Sequence, residues 1–312
     1  MAATDAFTPT QMRTFEWLRR AEQPTVFNPD FIEQLVHSTR SALAELSTRN
    51  GGADLYVAKG FLQRVHGCEA LHLHNEANND FSWSPATAAG FVAHKAIELL
   101  LNWQGEPFPA DLVDHALASL ADATGNQGAY VASLTEVDRA ELRSKAVDRT
   151  TKFLYDFPHL PSSAIPVLES TMRYAPPGTI TLSGKADLIL GKPAANESHR
   201  IVIDFKSGWR SHHHRADLRF YALLHTLKDH VPPRRLITYY LDESDAEVED
   251  VTEGALEAAQ RYALDGVERH IELTVEGRPA EKRPGSACRW CPLASECDEG
   301  REYLAALHGD PD

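Results

Sequence analysis

The sequence predicts a mixed α/β protein in which a central mixed β-sheet is flanked by helices. The first half of the chain carries apolar residues at helical spacing, and residues 164–206 form runs rich in Ile, Val, Leu and Thr. A helix and a further strand follow. Helices, then adjoining strands, then a helix before the next strand indicate one sheet that contains both parallel and antiparallel pairs.

Capping residues and periodicity predict the helices of the first half. Asn28-Pro29 is a favourable start, the apolar pattern runs over 31–46, and Asn50-Gly51-Gly52 ends it. Ser84-Pro85 starts a strongly apolar helix. The other helices predicted in the first half span 59–66, 84–102, 110–121 and 135–156.

The second half is predicted to form the sheet. Strand-like segments and two longer helices alternate in it, and the tail holds three cysteines before a short helix. The predicted strands span 164–174, 179–190, 200–206, 235–241 and 247–251. The predicted helices span 213–228, 253–272 and 299–307.

Composition restricts the class of protein. The chain has 312 residues, of which 43% are hydrophobic, and a formal net charge of -14. Such a charge disfavours a protein that coats nucleic acid non-specifically, but it is compatible with a local basic channel. No segment has the roughly 20 apolar residues of a membrane span, and the N-terminus lacks a signal-peptide pattern. We therefore expect a soluble, cytoplasmic protein with no membrane partner.

Charged residues interrupt two of the apolar strands. Asp187 lies in "GKADLIL", and Asp204 and Lys206 lie in "IVIDFKSG". Alternation places Asp204 and Lys206 on one face of their strand, where buried charges are costly unless they are compensated. A divalent cation held by the two carboxylates would polarise a phosphodiester, and Lys206 would orient or activate the attacking water. The alternative is an edge strand with a surface ion pair.

Two helices carry further candidates. His94, in "GFVAHKAIELL", is either a metal ligand or a packed helical histidine. Tyr221, one turn after Asp217 in "RADLRFYALLH", either contacts a phosphate or a stacked base, or flanks the core. The run His212-His213-His214 is a metal site or, more commonly, a solvated loop.

The four cysteines predict a bound metal centre. Cys288, Cys291 and Cys297 lie within ten residues of one another, and Cys68 lies far upstream. Four cysteines in a reducing compartment rarely form disulfides. An iron–sulfur cluster can draw its ligands from distant parts of a chain, so it is the leading interpretation. Zinc or free thiols are the alternatives.

Together these motifs resemble the RecB-like, iron–sulfur branch of the PD-(D/E)xK nuclease superfamily, which includes the AddB nuclease domain and the CRISPR-adaptation exonucleases. The resemblance spans roughly residues 57–300. It rests on motifs that occur in the family's order. These are "FLQRVHGC" with Cys68, Gly90 with His94, "GKADLIL" with Asp187, "IDFKSG" with Asp204 and Lys206, and the Cys288, Cys291, Pro292 and Cys297 pattern.

The resemblance implies a restriction-endonuclease-like core with Mg²⁺ or Mn²⁺ bound by His94, Asp187 and Asp204. It implies Lys206 as the catalytic base or water-orienting group, and a structural [4Fe–4S] cluster on the four cysteines. The implied activity is that of a DNase, often an exonuclease acting on single-stranded ends. Residues 1–56 would be an N-terminal helical extension and residues 57–312 the nuclease domain.

One position departs from the family. Asp217 stands where the family has a Gln four residues before the Tyr, so the amide donor is missing there. Glu169, on the strand before Asp187, is a further candidate near the metal. Because no G-x-x-x-x-G-K-[ST] phosphate loop occurs, any unwinding would require a helicase or another complex subunit. The alternative function is a catalytically weak nucleic-acid-binding or assembly subunit that keeps the fold.

Overall fold

The chain forms a mixed β-sheet between helices, which confirms the predicted fold class. The architecture is taken from a computed structural model. The residues that it describes are 7–19, 25–78, 83–100, 103–121, 126–160, 162–192, 194 and 196–308.

Helices precede, interrupt and follow the sheet. In chain order they are α1 (Pro9–Leu18), α2 (Pro29–Arg49), α3 (Lys59–His66), α4 (Glu69–Ala77), α5 (Pro85–Leu100), α6 (Pro109–Ala121), α7 (Asn126–Ser133), α8 (Glu136–Asp156), α9 (His212–Asp229), α10 (Glu253–Thr274) and α11 (Asp298–His308). Short 3₁₀ turns at Ser162–Ala164 and Ser286–Trp290 add to them.

The strands belong to two sheets. In chain order they are β1 (Thr25–Val26), β2 (Leu55–Val57), β3 (Val167–Tyr174), β4 (Ile180–Leu190), β5 (Glu197–Ser198), β6 (Ile201–Lys206), β7 (Arg235–Tyr240) and β8 (Asp245–Asp250). The main sheet has the order β2-β4-β6-β7-β8, and β3 pairs with the other edge of β4. β2 with β4 and β6 with β7 are parallel pairs, and the other pairs of this sheet are antiparallel. β1 and β5 form a separate two-stranded sheet.

Both faces of the sheet are buried by helices. Val202 of β6 packs in a core with residues of α2, α3, α9 and α10. Its neighbours Ile201 and Ile203 pack on the opposite face with α5 and α8. This alternation follows from the two-residue repeat of a strand. It places the even-numbered Asp204 and Lys206 on the α3 and α9 side.

A second, all-helical core lies behind α5. Small and aliphatic residues of α5, α6, α7 and α8 form it, including Ala89, Leu112 and Leu142. α5 therefore contacts this helical core on one side and the sheet on the other, so the position of His94 is fixed from both sides.

Several short elements differ from the sequence-based prediction. β1, β2 and β5 have only two or three residues each, too few to display alternation, and α4 and α7 lie in segments with no assigned element. α4 begins directly after Gly67 and Cys68, where the chain breaks from α3. The predicted strand over 164–174 begins at Val167, after the 3₁₀ turn. The predicted helix end at Asn102 lies outside the described residues.

The N-terminal residues share the main core. Ile32 and Leu35 of α2 and Leu55 of β2 pack with the sheet and with α10. Among the residues that the structure describes, none of the helices combines the length and apolar character needed to cross a membrane.

Candidate active site

The sheet divides beside β4, and the polar residues gather where it divides. β2 pairs with the start of β4, Val57 opposite Leu182, and β6 pairs with its end, Ile203 opposite Leu188. β3 occupies the other edge of β4 at both places, so β2 and β6 share one edge. Because β2 is parallel and β6 antiparallel to β4, their carboxyl ends converge on residues 183–187.

Asp187 lies at this division. The β4–β6 ladder is formed at Leu188 and beyond, and the Asp187 Oδ2 atom accepts a hydrogen bond from the Phe205 backbone N–H at 2.7 Å. The carboxylate thus accepts a hydrogen bond from a β6 backbone N–H group that lies beyond the end of the β4–β6 pairing. The alternation of β4 side chains between the two faces of the sheet is also interrupted here. Ala186 and Ile189 pack on one face, although they are three residues apart, and Leu188 packs on the other.

Asp204 is held by two lysines. Its side chain is 1% exposed, with Oδ1 3.1 Å from Lys59 Nζ and Oδ2 2.7 Å from Lys206 Nζ. Burial would raise the pKa of Asp204, but the two ammonium groups hold this pKa below its usual value. Burial would likewise lower the pKa of Lys59, but the carboxylates of Asp204 and Asp187 raise it. The carboxylate and Lys59 are therefore both charged at neutral pH.

Asp217 is joined to the site by Gln63. The Gln63 amide donates to both Asp217 oxygens, at 2.7 and 2.9 Å, and Lys206 Nζ lies 3.4 Å from Asp217 Oδ2. Burial raises the pKa of Asp217, although the two lysines oppose this shift. An amide donor is thus present beside Lys206, on α3 rather than on α9.

His94 faces Asp187 from α5. Its Nδ1 atom lies 3.5 Å from Asp187 Oδ1. Burial would lower the pKa of His94, but Asp187 and Asp204 raise it above its usual value. Glu169 also influences His94 through its charge, pairs with Lys185, and has a φ of 51°. A positive φ is costly for a non-glycine residue in a strand.

Tyr221 lies beneath the site. It is 1% exposed, and its ring lies 5.3 Å from Lys59 Nζ. A Cβ atom on Gly184 would be 2.6 Å from the Tyr221 ring, so glycine is needed for this close approach. In this position Tyr221 supports Lys59 and fills the core. Its burial disfavours the interpretation in which the ring stacks on a base.

The turn after Lys206 is fixed from two sides. Gly208 N–H donates to Asp242 Oδ2 at 2.7 Å, and Arg149 of α8 donates to the same carboxylate. Trp209, next in the chain, is 95% exposed. The anchored turn thus presents an indole ring to solvent three residues after Lys206. The histidine run begins α9, where His214 bonds the Tyr240 hydroxyl.

The site has donors suited to a hard divalent cation. Carboxylate oxygens of Asp187 and Asp204 and the imidazole of His94 converge from β4, β6 and α5. Among the described residues, no three His, Cys, Asp or Glu side chains are already arranged as a metal-binding group. Lys59 donates a hydrogen bond to Asp204 Oδ1, whereas the buried Oδ2 atom has Lys206 Nζ at 2.7 Å but no hydrogen-bond partner among the described residues. The chemistry therefore fits a cation, which would replace an amine at Oδ1.

The four cysteines line one pocket. Cys68 at the start of α4 and Cys288, Cys291 and Cys297 in the tail surround a volume of about 200 Å³ with Leu71, Leu293 and other apolar groups. Backbone N–H groups of Gly285 and Gly300 donate to Cys288 and Cys297 Sγ, at 3.4 and 3.3 Å. Burial raises the pKa of the Cys291 thiol. The pocket has four thiols on its wall and room for more than one water molecule, but within the described part of the chain no three of these thiols are arranged as a metal-binding group.

Sequence reasoning missed Lys59 and Gln63. They lie one turn apart on α3 and reach Asp204 and Asp217, far along the chain. The only available signal was the i, i+4 spacing of these two polar residues, on a short helix that also carries Arg64 and His66.

Comparison with known proteins gives a family match. The model of the PD-(D/E)XK nuclease superfamily matches residues 61–298. A search of the curated proteins finds no match. Among solved structures, the chain is similar to a Eubacterium rectale protein whose name gives a provisional exonuclease assignment. Identity is 11%, 79% of this chain and 87% of that chain are covered, and the TM-score is 0.43. The chain is also similar to the protein SSO0001. Identity is 16%, 67% of this chain and 95% of that chain are covered, and the TM-score is 0.31.

Proposed function

Because the chain belongs to the PD-(D/E)XK nuclease superfamily, we propose that it is a divalent-metal-dependent nuclease that hydrolyses phosphodiester bonds in DNA. The observation that carries the proposal is the convergence of buried Asp187 and Asp204 with the partly buried Lys206 and with His94 at the division of the sheet. Such a cluster of buried charges has no evident structural purpose, since apolar residues would fill the same volume at lower cost.

Asp187, Asp204 and His94 would hold Mg²⁺ or Mn²⁺. When bound, the cation would polarise the phosphate and lower the pKa of a coordinated water. Lys206 lies 2.7 Å from Asp204, so its ammonium group would orient the attacking water and balance charge that develops on the phosphate. Asp217, fixed by Gln63, would keep the Lys206 side chain directed towards the reacting group.

Single strands and DNA ends are the proposed substrates, with exonucleolytic cleavage. Trp209 supports this proposal, because an indole 95% exposed beside the site offers a stacking surface to an unpaired base. In a duplex the bases already stack on one another. The net charge of -14 fits a local contact with a strand rather than a broad electrostatic surface.

We further propose that the chain belongs to the iron–sulfur branch of the superfamily. Support comes from the pocket that all four cysteines line and from the backbone donors that reach two of their sulfurs. A cluster there would join the start of α4 to the tail after α10. Anaerobically purified protein should be brown with broad visible absorbance. A colourless protein that contains one equivalent of zinc would contradict the cluster and indicate a zinc site.

The deciding experiment is cleavage of end-labelled single-stranded and duplex DNA with Mg²⁺ or Mn²⁺. Lys206→Ala should reduce kcat by about 100-fold or more, as expected for loss of a group that acts on the reacting water. Lys145→Ala is a matched control, because Lys145 pairs with Glu141 on the surface of α8. Equal inactivity of wild type and Lys206→Ala on every substrate would contradict the proposal, and equal activity would identify a contaminant.

A further inference from the structure

α3 contributes a charged residue to the active site from outside the strands that carry the acids. Lys59 is the first residue of this helix, which leaves the sheet where β2 ends. Its ammonium group is 3.1 Å from Asp204 Oδ1 and 5.3 Å from the centre of the Tyr221 ring. Lys59 therefore lies where the carboxyl ends of β2 and β6 converge.

Lys59 and Lys206 hold the same carboxylate differently. Lys206 is 17% exposed and also lies 3.4 Å from Asp217, so two acids fix it. The Lys59 side chain is 33% exposed, and within the described residues Asp204 is its one ion-pair partner. Of the two lysines, Lys59 is thus the more accessible and the less constrained.

Charge balance indicates what Lys59 does when a cation arrives. In this structure three buried carboxylates, of Asp187, Asp204 and Asp217, face two ammonium groups, and the His94 imidazole lies 3.5 Å from Asp187. A divalent cation on Asp204 and Asp187 would leave the cluster with an excess of positive charge. A lysine that stayed against Asp204 would then repel the cation, whereas a phosphodiester would bring the negative charge that Lys59 has lost.

We propose that Lys59 is a second active-site lysine that occupies Asp204 Oδ1 in the metal-free protein and contacts the substrate phosphate once a divalent cation binds there. Lys59 and the cation compete for Asp204 Oδ1. The positive ammonium group of Lys59 is complementary to the negative phosphate of the substrate. This inference rests on the proposed nuclease function, and it assigns a residue on α3 to substrate binding.

The test uses the full chain with Lys59→Met, which keeps the length of the side chain, and Lys59→Arg, which keeps its charge. Calorimetric titration with Mn²⁺ should show a Kd roughly threefold or more lower for Lys59→Met, because the competing cation is gone. Lys59→Arg should bind Mn²⁺ like wild type, and Lys145→Met serves as the surface control. Mn²⁺ affinity that is unchanged or weaker in Lys59→Met would overturn the competition.

The substrate contact is measured separately, with Ca²⁺ in place of Mg²⁺ so that a single-stranded oligonucleotide is bound without depending on cleavage. Lys59→Met should weaken Ca²⁺-dependent binding by about fivefold or more and reduce kcat with Mg²⁺ by about tenfold or more. Lys59→Arg should recover most of both. Unchanged oligonucleotide affinity in Lys59→Met would overturn the phosphate contact.

These readouts separate two kinds of failure. If wild type does not cleave any DNA, the proposed function fails, while Mn²⁺ titration and Ca²⁺-dependent binding still decide the role of Lys59. Thermal melting of each variant checks folding. If Lys59→Met does not fold, Lys59→Gln replaces it with the same expected directions.

Discussion

At the residue scale, the proposed active site is a chain of polar contacts that links the two lysines to Asp204 and Asp217. Lys59 and Lys206 hold Asp204, Asp217 holds Lys206, and Gln63 holds Asp217. Low polarity around these groups strengthens each contact and makes a missing partner costly. Effects on catalysis and stability should therefore extend beyond the residues that touch the substrate.

Gln63→Leu tests this connection. Removing the amide leaves Asp217 with Lys206 alone, so stability should fall by about 1–3 kcal/mol, the cost of an unsatisfied buried acceptor. Cleavage should also slow, and its pH profile should shift, because Lys206 is less well positioned. Gln260→Leu is the control, since the Gln260 amide bonds Ser38 and Thr39 far from the site. It should lose stability but keep kcat and the pH profile, and a matching loss of kcat would argue against a positioning role for Gln63.

Trp209 allows a second test at the residue scale. Because its ring is 95% exposed, Trp209→Ala should leave the melting temperature unchanged. Affinity for a single-stranded oligonucleotide should fall by about fivefold or more, in line with roughly 1–3 kcal/mol for one stacked base. Trp290→Ala, at a ring 79% exposed in the cysteine-containing tail, should have no such effect in fluorescence anisotropy titrations. Equal losses of oligonucleotide affinity in both variants would show that Trp209 is not a specific stacking surface for a base.

At the element scale, the sequence allowed prediction of the strands that carry Asp187, Asp204 and Lys206, but not of the way in which α3 completes the site. Asp187, Asp204 and Lys206 were visible because charged residues within apolar strands are exceptional. Lys59 and Gln63 were not visible, since polar residues on a short helix are ordinary. Their role depends on a tertiary contact between α3 and β6 that local patterns do not encode.

Burial also favours one of the two interpretations of Tyr221. From sequence, Tyr221 fitted a surface role and a core role equally well, because it borders the apolar stripe of α9. The approach of β4 at Gly184 decides its place, by packing the strand directly against the ring. Such a contact depends on the relative position of a helix and a strand, which the order of the elements does not specify.

Packing of α5 on the end of β6 gives an element-scale prediction. A Cβ atom on Gly90 would lie 2.4 Å from Ser207 Oγ but 3.5 Å from Ser207 Cβ, so Gly90→Ala must rotate the Ser207 hydroxyl or shift α5 away from the turn after Lys206. We expect a loss of about 1 kcal/mol in stability and slower cleavage. Gly254→Ala, at a helical position with nothing within 4 Å, should cost neither. Adding Ser207→Gly to Gly90→Ala should restore activity; failure of this rescue would rule out the collision as the cause.

At the scale of the whole molecule, the segment after α10 is tied back to the start of α4. Glu69, fully buried, accepts from Arg278 at 2.9 and 3.0 Å, lies 3.4 Å from Arg269, and accepts from the Glu281 backbone N–H at 2.9 Å. Cys68 directly precedes it, and the same tail carries the other three cysteines. These contacts therefore hold the segment that precedes the three cysteines of the tail beside Cys68.

Glu69→Gln should accordingly destabilise the protein in a pH-dependent way. Burial would raise the pKa of Glu69, but the two arginines and the Glu281 N–H lower it from 4.5 to about 2. The folded state thus favours the ionised form, so its stabilisation is complete above pH 4.5 and disappears as the pH falls towards 2. We expect Glu69→Gln to cost about 2 kcal/mol at pH 7, less than the full shift implies because the arginines are partly exposed to water.

Urea unfolding of wild type and Glu69→Gln at several pH values measures this effect. The difference in the free energy of unfolding should be largest near neutral pH and should shrink steadily below pH 4.5. Glu257→Gln is the control, because Glu257 forms a long, exposed pair with Arg261 on α10 and should show almost no difference at any pH. A Glu69→Gln difference that stays constant down to pH 3 would mean that shape and hydrogen bonding, rather than charge, hold the tail to α4.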